Sequence, residues 1–353
     1  MIEVFYKIKS LHELGIKIHL HCFEYGRGEQ AELENYCSEV QYYHRNEGHK
    51  GFSHKLPYIV CSRSNSDLKE NLLKDNYPII LEGIHCTQLL HDPRFENRKM
   101  ILRLHNIEHE YYRQLYKHEN SIFRKLYYLH ESNLLKKYEK AISDKVMILT
   151  MSEQDAYNYS KQFSARNVFY LPAFHPAHEL KCRSGTGCFC LYHGNLAVAE
   201  NEAVAIWLLQ NVFNDFDKPF VIAGRKPSEK LQRLAHQHQN ACIVADPAEK
   251  EMEDMISKAQ INITPSFNCT GTKLKLLNAV FAGRHCITNE QAVINTGLEN
   301  TCHIAKSPED FKKLISELYQ RPFSEQEIAE RKKILSELFC NEKNARKLTE
   351  WLW

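Results

Sequence analysis

The chain has 353 residues, enough for two domains of ordinary size, and its 43% hydrophobic and 25% charged content is that of a folded globular protein. A formal net charge of +2 makes no electrostatic case for nucleic acid as a partner. No run of about 18 apolar residues is present to cross a bilayer, and "MIEVFYKIKS" lacks the apolar core and small-residue cleavage site of a signal peptide.

Val4, Ile8, Leu11 and Leu14 recur at helical spacing and Gly15 closes the run, so the chain opens on a helix. A doubly wound sheet ordinarily starts on a central strand with a glycine-rich turn. Neither is in these residues, and an incomplete start is the expectation. Strands are expected at "IKIHLHCF", "VQYYH", "YPIILEG", "MILRLH", "KVMILTM" and "NVFYLP". "SIFRKLYYLHESNLLKKYEK", from Ser121 to Lys140, reads as a long core-packed helix with a solvated charged face. Its basic, aromatic-interleaved surface leaves contact with an anionic membrane as the alternative. Between Pro172 and Gly187 the pattern dissolves into "PAFHPAHELKCRSGTG", a linker by composition. Alternation then restarts with "CFCLYHG", "PFVIAG", "ACIVA", "INITPS", "RHCITN" and "CHIAK". Short β-rich runs alternating with helical periodicity argue for parallel sheets with crossover helices. The fold expected is therefore α/β: two doubly wound domains, 1–172 and 188–340, around a linker at 173–187. "NEKNARKLTEWLW", 341–353, is a terminal helix that can pack across the domain junction or on its own domain. The scattered cysteines suit reduced thiols in the cytoplasm. Cys188 and Cys190, expected on one strand face, lack two further ligands at zinc spacing, and His19 and His21 are weighed the same way, so no metal is expected.

"TGTKLKLLNAVFAG", residues 270–283, puts Lys273 and Lys275 in the first turn of a helix, where the dipole prefers acids. An anion bound there would account for them. Asn268, Thr270, Gly271 and Thr272 supply turn and capping chemistry, and backbone amides at such a junction bind phosphate oxygens. Leu274, Leu277 and Phe281 form the buried stripe, and Asn278, two turns on, can donate to and accept from hydroxyls. In "LYHGNLAVAENEAVAIWLL" a strand ends at Tyr192, His193, Gly194 and Asn195 make a tight turn, and Asn201 begins a helix. "FVIAGRKPS" is another strand-end glycine turn, with Arg225 and Lys226 available to an anion. Ligands of open α/β sheets sit outside such strand ends. In the first domain "ILEGIHCTQLL" and "LRLHNIEHEYY" bring Glu82, His85, His105, Asn106, Glu108 and His109 to the same edge. These side chains bind hydroxyls and transfer protons; helix-capping histidines are the equal alternative. No G-x-S-x-G elbow or H-E-x-x-H pair competes.

In this order and spacing, "LYHGNLAVAENEAVAIWLL", "FVIAGRKPS" and "NITPSFNCTGTKLKLLNAVFAGRHCITN" resemble the second domain of family 4 retaining glycosyltransferases. "LRLHNIEHEYY", "VMILTMSEQDAYNYS" and "NVFYLPAFHP" resemble their first domain. The likeness is closest to bacterial mannosyltransferase-like members that assemble surface polysaccharides. It implies a GT-B fold, in which two Rossmann-like domains face a cleft and a terminal helix crosses back. It also implies a nucleotide-sugar donor on the second domain, a glycan or lipid-linked acceptor on the first, and neither metal nor cofactor. By the resemblance Lys273 serves catalysis and Gly194, Asn195, Arg225, Thr270, Gly271, Thr272, Lys275 and Asn278 bind the donor. His105 matches the family histidine facing the donor sugar, with Glu82, His85 and Asn106 on the acceptor side. The family's paired glutamates read here as Thr270 and Asn278. Its arginine and lysine after the first donor-domain strand are replaced by a region holding Asn195 and Glu200, and its first glycine loop has no counterpart. The resulting expectation is a cytoplasmic hexosyltransferase with peripheral contact at the inner face of the plasma membrane. A non-catalytic nucleotide- or glycan-binding protein on the same fold is the rival.

Overall fold

A computed structural model describes residues 2–24, 26, 28–51, 53–119, 121–175, 180–267, 274–294 and 296–353. Six strands of its first half are β1 (His19–Glu24), β2 (Glu39–His44), β3 (Ile79–Glu82), β4 (Met100–Arg103), β5 (Met147–Thr150) and β6 (Val168–Tyr170). Those of the second half are β7 (Cys190–Asn195), β8 (Phe220–Arg225), β9 (Ala241–Ala245), β10 (Ile261–Ile263), β11 (His285–Thr288) and β12 (His303–Ile304). Each overlaps one of the expected runs, with β1, β2, β7 and β8 running one residue beyond theirs. All pair in parallel, in the orders β1-β2, β3-β4-β5-β6 and β12-β11-β10-β7-β8-β9.

Parallel strands need crossover connections, and the helices that provide them cover both faces of the sheet. The central strands are accordingly apolar throughout. Ile101 and Leu102 of β4, Ile148 and Leu149 of β5, and Leu191 and Tyr192 of β7 are all fully buried. Cys190 is buried and Cys188, ahead of the strand, is exposed, so the two do not share a sheet face.

Two boundaries differ from the sequence reading. β7 and β8 stay in register through His193↔Ala223, Gly194↔Gly224 and Asn195↔Arg225. His193, Gly194 and Asn195 are thus ladder residues rather than a turn, and the following helix, Ala199–Asn211, starts two positions before Asn201. The strands approach so closely that a Cβ on Gly224 would lie 1.9 Å from the Gly194 carbonyl oxygen. Glycine is required there by contact rather than by turn geometry. The helix Leu274–Ala282 also buries more than the expected stripe: Leu276, Ala279 and Val280 join Leu277 and Phe281, while Leu274 is only half-buried. Ala173 and, from the helix Glu325–Leu338 and just beyond it, Leu335 and Phe339 are among the residues that pack on this face.

The opening helix is Ile2–Glu13, followed by Gly15 at φ +80°. It packs against the last helix, Asn341–Leu352. Ala345, Leu348 and Leu352 of that helix share a cluster with Leu11, Ile101 and Leu149, so the end of the chain crosses back to the first half. The long helix is Ile122–Ile142. Its second half is core, with Leu135, Tyr138 and Ile142 buried, but Ile122, Phe123 and Leu126 are 74%, 87% and 61% exposed.

Candidate functional site at the facing strand ends

On the second half the site begins where β7 meets its helix. Lys275, in the first turn of Leu274–Ala282, reaches the Asn201 Oδ1 at 3.2 Å and the Tyr192 hydroxyl at 3.4 Å, with its ammonium 5.1 Å from the Tyr192 ring centroid. Asn201 donates to the Asn195 carbonyl at 2.9 Å and the Asn195 side chain accepts from Ala197 N–H at 3.2 Å, which fixes the corner above β7. Ser266, after β10, donates to Glu200 at 3.1 Å. His193 is buried beside this corner, and its Nε2 has no partner among the described residues. Burial first, and then the Lys275 charge, hold it neutral with a pKa of about 4. Arg225 is exposed at the end of β8. Thr270, Gly271, Thr272 and Lys273 lie outside the described residues, and Asn268 with them.

Asn278 does not stand alone on its helix. Its Oδ1 lies 3.1 Å from His175 Nε2, and the His175 ring stacks on Phe281 at 4.2 Å. His175 belongs to the stretch expected as linker. Asn341 clamps its backbone, accepting from His175 N–H at 3.1 Å and donating to its carbonyl at 2.8 Å.

On the first half, His105 and Glu82 meet across β4 and β3 at 3.2 Å. Lys7 Nζ sits 2.6 Å from Glu82 and 3.1 Å from Glu3. Glu3 in turn bonds Arg103 at 3.0 Å, and Arg103 donates to the carbonyls of Thr150, Leu171 and Pro172. Glu3, Lys7 and Arg103 are almost wholly buried. Burial pushes the Glu82 carboxyl up, but Lys7 and the His105 hydrogen bond outweigh it and bring its pKa to about 2. Carboxylates and imidazole close enough to share a metal occur here, yet Lys7 and Arg103 already supply the positive charge they need. His85 follows Gly83, whose φ of +85° and 2.5 Å Cβ clearance to the His85 ring admit only glycine. Burial holds His85 neutral, at about 3. Asn106 hydrogen-bonds Glu108, but burial and the neighbouring Glu139 raise Glu108 to about 8. The reading from sequence missed Glu3, Lys7, Arg103 and His175. Glu3 and Lys7 carried a signal, being charges four apart on the apolar side of a helix.

The two edges face each other. The helix Glu108–His118, which follows β4, packs on Ala199–Asn211, which follows β7, and the Glu200 charge acts on Tyr111. His105, Asn106 and Glu108 are thereby brought to the same cleft as Asn201, Glu200 and Lys275. Such a cleft offers hydroxyl-binding groups on one wall and a helix-end cation on the other.

Residues 188–321 match the model of the glycosyl transferases group 1. Sucrose-phosphate synthase of Thermosynechococcus elongatus superposes with a TM-score of 0.70 at 13% identity, over 99% of this chain and 91% of its own. Anabaena Alr3699/HepE, solved with UDP and glucose, superposes with a TM-score of 0.66 at 9% identity, over 99% and 95%. The architecture is that of a GT-B glycosyltransferase. A curated relative, "Uncharacterized 44.6 kDa protein in cps region" of Klebsiella pneumoniae, is 29% identical over 265 residues, 70% of this chain and 67% of the relative. TarM superposes with a TM-score of 0.61 at 13% identity over 80% of this chain, and the chain spans 57% of TarM's length. Among the described residues no helix of this GT-B chain is long and apolar enough to cross a membrane.

Proposed function

We propose that this chain is a retaining, metal-independent hexosyltransferase that moves a sugar from a nucleoside-diphosphate donor to a glycan or lipid-linked acceptor in surface-polysaccharide synthesis. Mannose is the sugar that the family likeness favours. The observation that carries the reading is Lys275, held by Asn201 and Tyr192 at the carboxyl end of the central strand β7. The leaving diphosphate gains negative charge in the transition state, so a fixed cation there lowers the barrier rather than only tightening binding. Lys273, Arg225, Thr270, Gly271 and Thr272 complete the donor site in this reading, with Gly194 and Asn195 beneath it. His105, oriented by Glu82, faces the transferred sugar, with His85 and Asn106 toward the acceptor. HepE's complex with UDP and glucose supports the donor class, and the cps-region relative supports the polysaccharide setting.

Calorimetry with UDP- and GDP-sugars tests this. One charge-assisted contact contributes about 1.5–3 kcal/mol, so Lys275→Ala should weaken donor binding by about 10- to 100-fold. Unchanged affinity refutes the diphosphate assignment. The engagement of Asn278 by His175 favours one rival, a GT-B protein that binds nucleotide or glycan without transfer. Donor binding without sugar release or transfer in the presence of acceptor glycans would establish it.

A further inference from the structure

β11 and β12 pair in parallel with Ile287 opposite His303. Side chains alternate along a strand and directly opposite residues share a face, so His285, two positions before Ile287, lies on the same face as His303. Each histidine is the first residue of its strand. The pair therefore stands at the amino ends of the sheet, away from the cleft at the carboxyl ends. The helix Glu325–Leu338 brings a third group. Its capping box ties Glu327 Oε2 to the backbone N–H and the hydroxyl of Ser324, each at 2.9 Å, and Oε1 lies 3.9 Å from His285 Nδ1. One ligand atom from each of His285, His303 and Glu327 falls within 4.8 Å of the other two.

Hydrogen bonding leaves His285 ready to ligate. Its Nε2 donates to the Arg321 carbonyl at 3.0 Å, and a second bond, from Gln260 at 2.7 Å, fixes that carbonyl. Arg321 Nη2 lies 3.5 Å from Nδ1, and a guanidinium can only donate, so Nδ1 carries the lone pair. A ring that gives its N–H to a carbonyl and turns its lone pair toward a carboxylate has the orientation of a metal-bound histidine. The space between Nδ1 and Glu327 Oε1 already attracts a cation, since the same Nη2 is 2.7 Å from Oε1. This cation differs from the Lys7 and Arg103 that neutralise the group around His105. Those two are buried, whereas the Arg321 side chain is half-exposed, and among the described residues its guanidinium bonds only Glu327 and His285. Arg331, the other charge nearby, is committed to the carbonyls of Val280, Gly283 and Arg284.

We propose that His285, His303 and Glu327 bind one divalent transition-metal ion of the zinc class, which enters as the Arg321 side chain swings into solvent. Two imidazole nitrogens and a carboxylate oxygen suit zinc, cobalt or nickel rather than magnesium or calcium, and water completes four-coordination. Bonds of about 2 Å set tetrahedral ligand atoms about 3.3 Å apart, and torsions of the half-buried His303 and Glu327 side chains close the remaining distance. The ion ties the edge strand β12 to the start of the helix Glu325–Leu338. It takes no part in the chemistry of the cleft, so the site stands apart from the glycosyltransferase reading.

Cobalt(II), titrated into the metal-free 353-residue chain and followed by visible absorption, tests the site. One ion should bind per chain, with d–d bands and no thiolate charge-transfer band. Glu327→Gln should weaken binding at least about tenfold, and His303→Ala likewise. Glutamine at that position keeps the capping box, so the helix start is preserved. Arg321→Gln should tighten binding about tenfold, because it removes a competing cation and keeps the backbone carbonyl that orients His285. Unchanged affinity in Glu327→Gln or His303→Ala, no gain in Arg321→Gln, a thiolate band that puts the ion on cysteines, or no saturable binding would overturn the proposal. Should His303→Ala fail to fold, the other two variants decide.

Discussion

Glu108→Gln should stabilise this protein increasingly as pH rises from about 5 to 8. The first turn of its helix sets Glu108 beside Glu139, whose carboxylate accepts the backbone N–H of Glu108 at 2.9 Å and of His109 at 3.3 Å. Burial and that neighbouring charge lift the Glu108 pKa from 4.5 to about 8. Below 4.5 the group is protonated whether the chain is folded or not, and contributes nothing. Between the two values the unfolded chain has released a proton that the folded chain retains, so stability falls with rising pH and levels off above about 8. Each unit is worth about 1.4 kcal/mol, which puts the full cost at about 5 kcal/mol and the cost at pH 7 at about 3 kcal/mol. Glu108 is only partly buried, and solvent screening reduces the expected value at pH 7 to about 2 kcal/mol. Glutamine keeps the shape and removes the ionisation. Urea unfolding of both proteins from pH 5 to 9 reads the difference directly. A stability difference that stays flat across this range refutes the assignment of a neutral Glu108.

Three further outcomes follow from contacts elsewhere. Gly224→Ala puts a Cβ against the Gly194 carbonyl and must part β7 from β8; a loss of about 3 kcal/mol or failure to fold is expected, measured by thermal unfolding. Arg103→Leu leaves Glu3 buried beside Lys7 alone and strips the Thr150, Leu171 and Pro172 carbonyls of their donor, costing about 3–5 kcal/mol in denaturant titration. Phe123→Ser with Leu126→Ser should abolish co-sedimentation with anionic vesicles, because these exposed side chains adjoin Arg124 and Lys125; binding that persists removes the membrane contact from the proposed function.

The strands were legible because burial on both faces leaves a continuous apolar run, such as "VMIL" at 146–149 within "KVMILTM". Their ends were not, since the ladder partner decides them: Gly194 reads as a turn residue until Gly224 is seen opposite. On the donor side Lys275 was legible as a cation at the wrong helix end, but its hold on Asn201 required the fold. Glu3 and Lys7 are visible in the sequence as opposite charges four apart, each next to an apolar position of the helix, Val4 and Ile8. Their partners Glu82 and Arg103 could not be read, because only the parallel order of β3 and β4 brings them to the opening helix. His175 gave no signal at all. It lies in a stretch without periodicity, and its importance comes from Asn278 and Asn341, which are remote in sequence.

Those remote partners explain how a molecule of two halves can hold a single site. The cleft needs the donor helix Leu274–Ala282 placed accurately against strand ends on the other half, and a linker by itself sets no such position. Here the linker is anchored at one point: His175 stacks on Phe281 and bonds Asn278 of the donor helix, while Asn341 grips its backbone from the last helix. That last helix is itself buried against β4 and β5 through Leu348 and Leu352. β4 ends in Arg103, whose charge is matched by Glu3, and Glu3 shares Lys7 with Glu82, the partner of His105. A continuous set of contacts therefore runs from the donor helix to the histidine across the cleft. Its inner polar links, His175 with Asn341 and Glu3 with Arg103, are buried, where a displaced group leaves its partner unsatisfied, so small shifts are penalised more steeply than in an apolar joint.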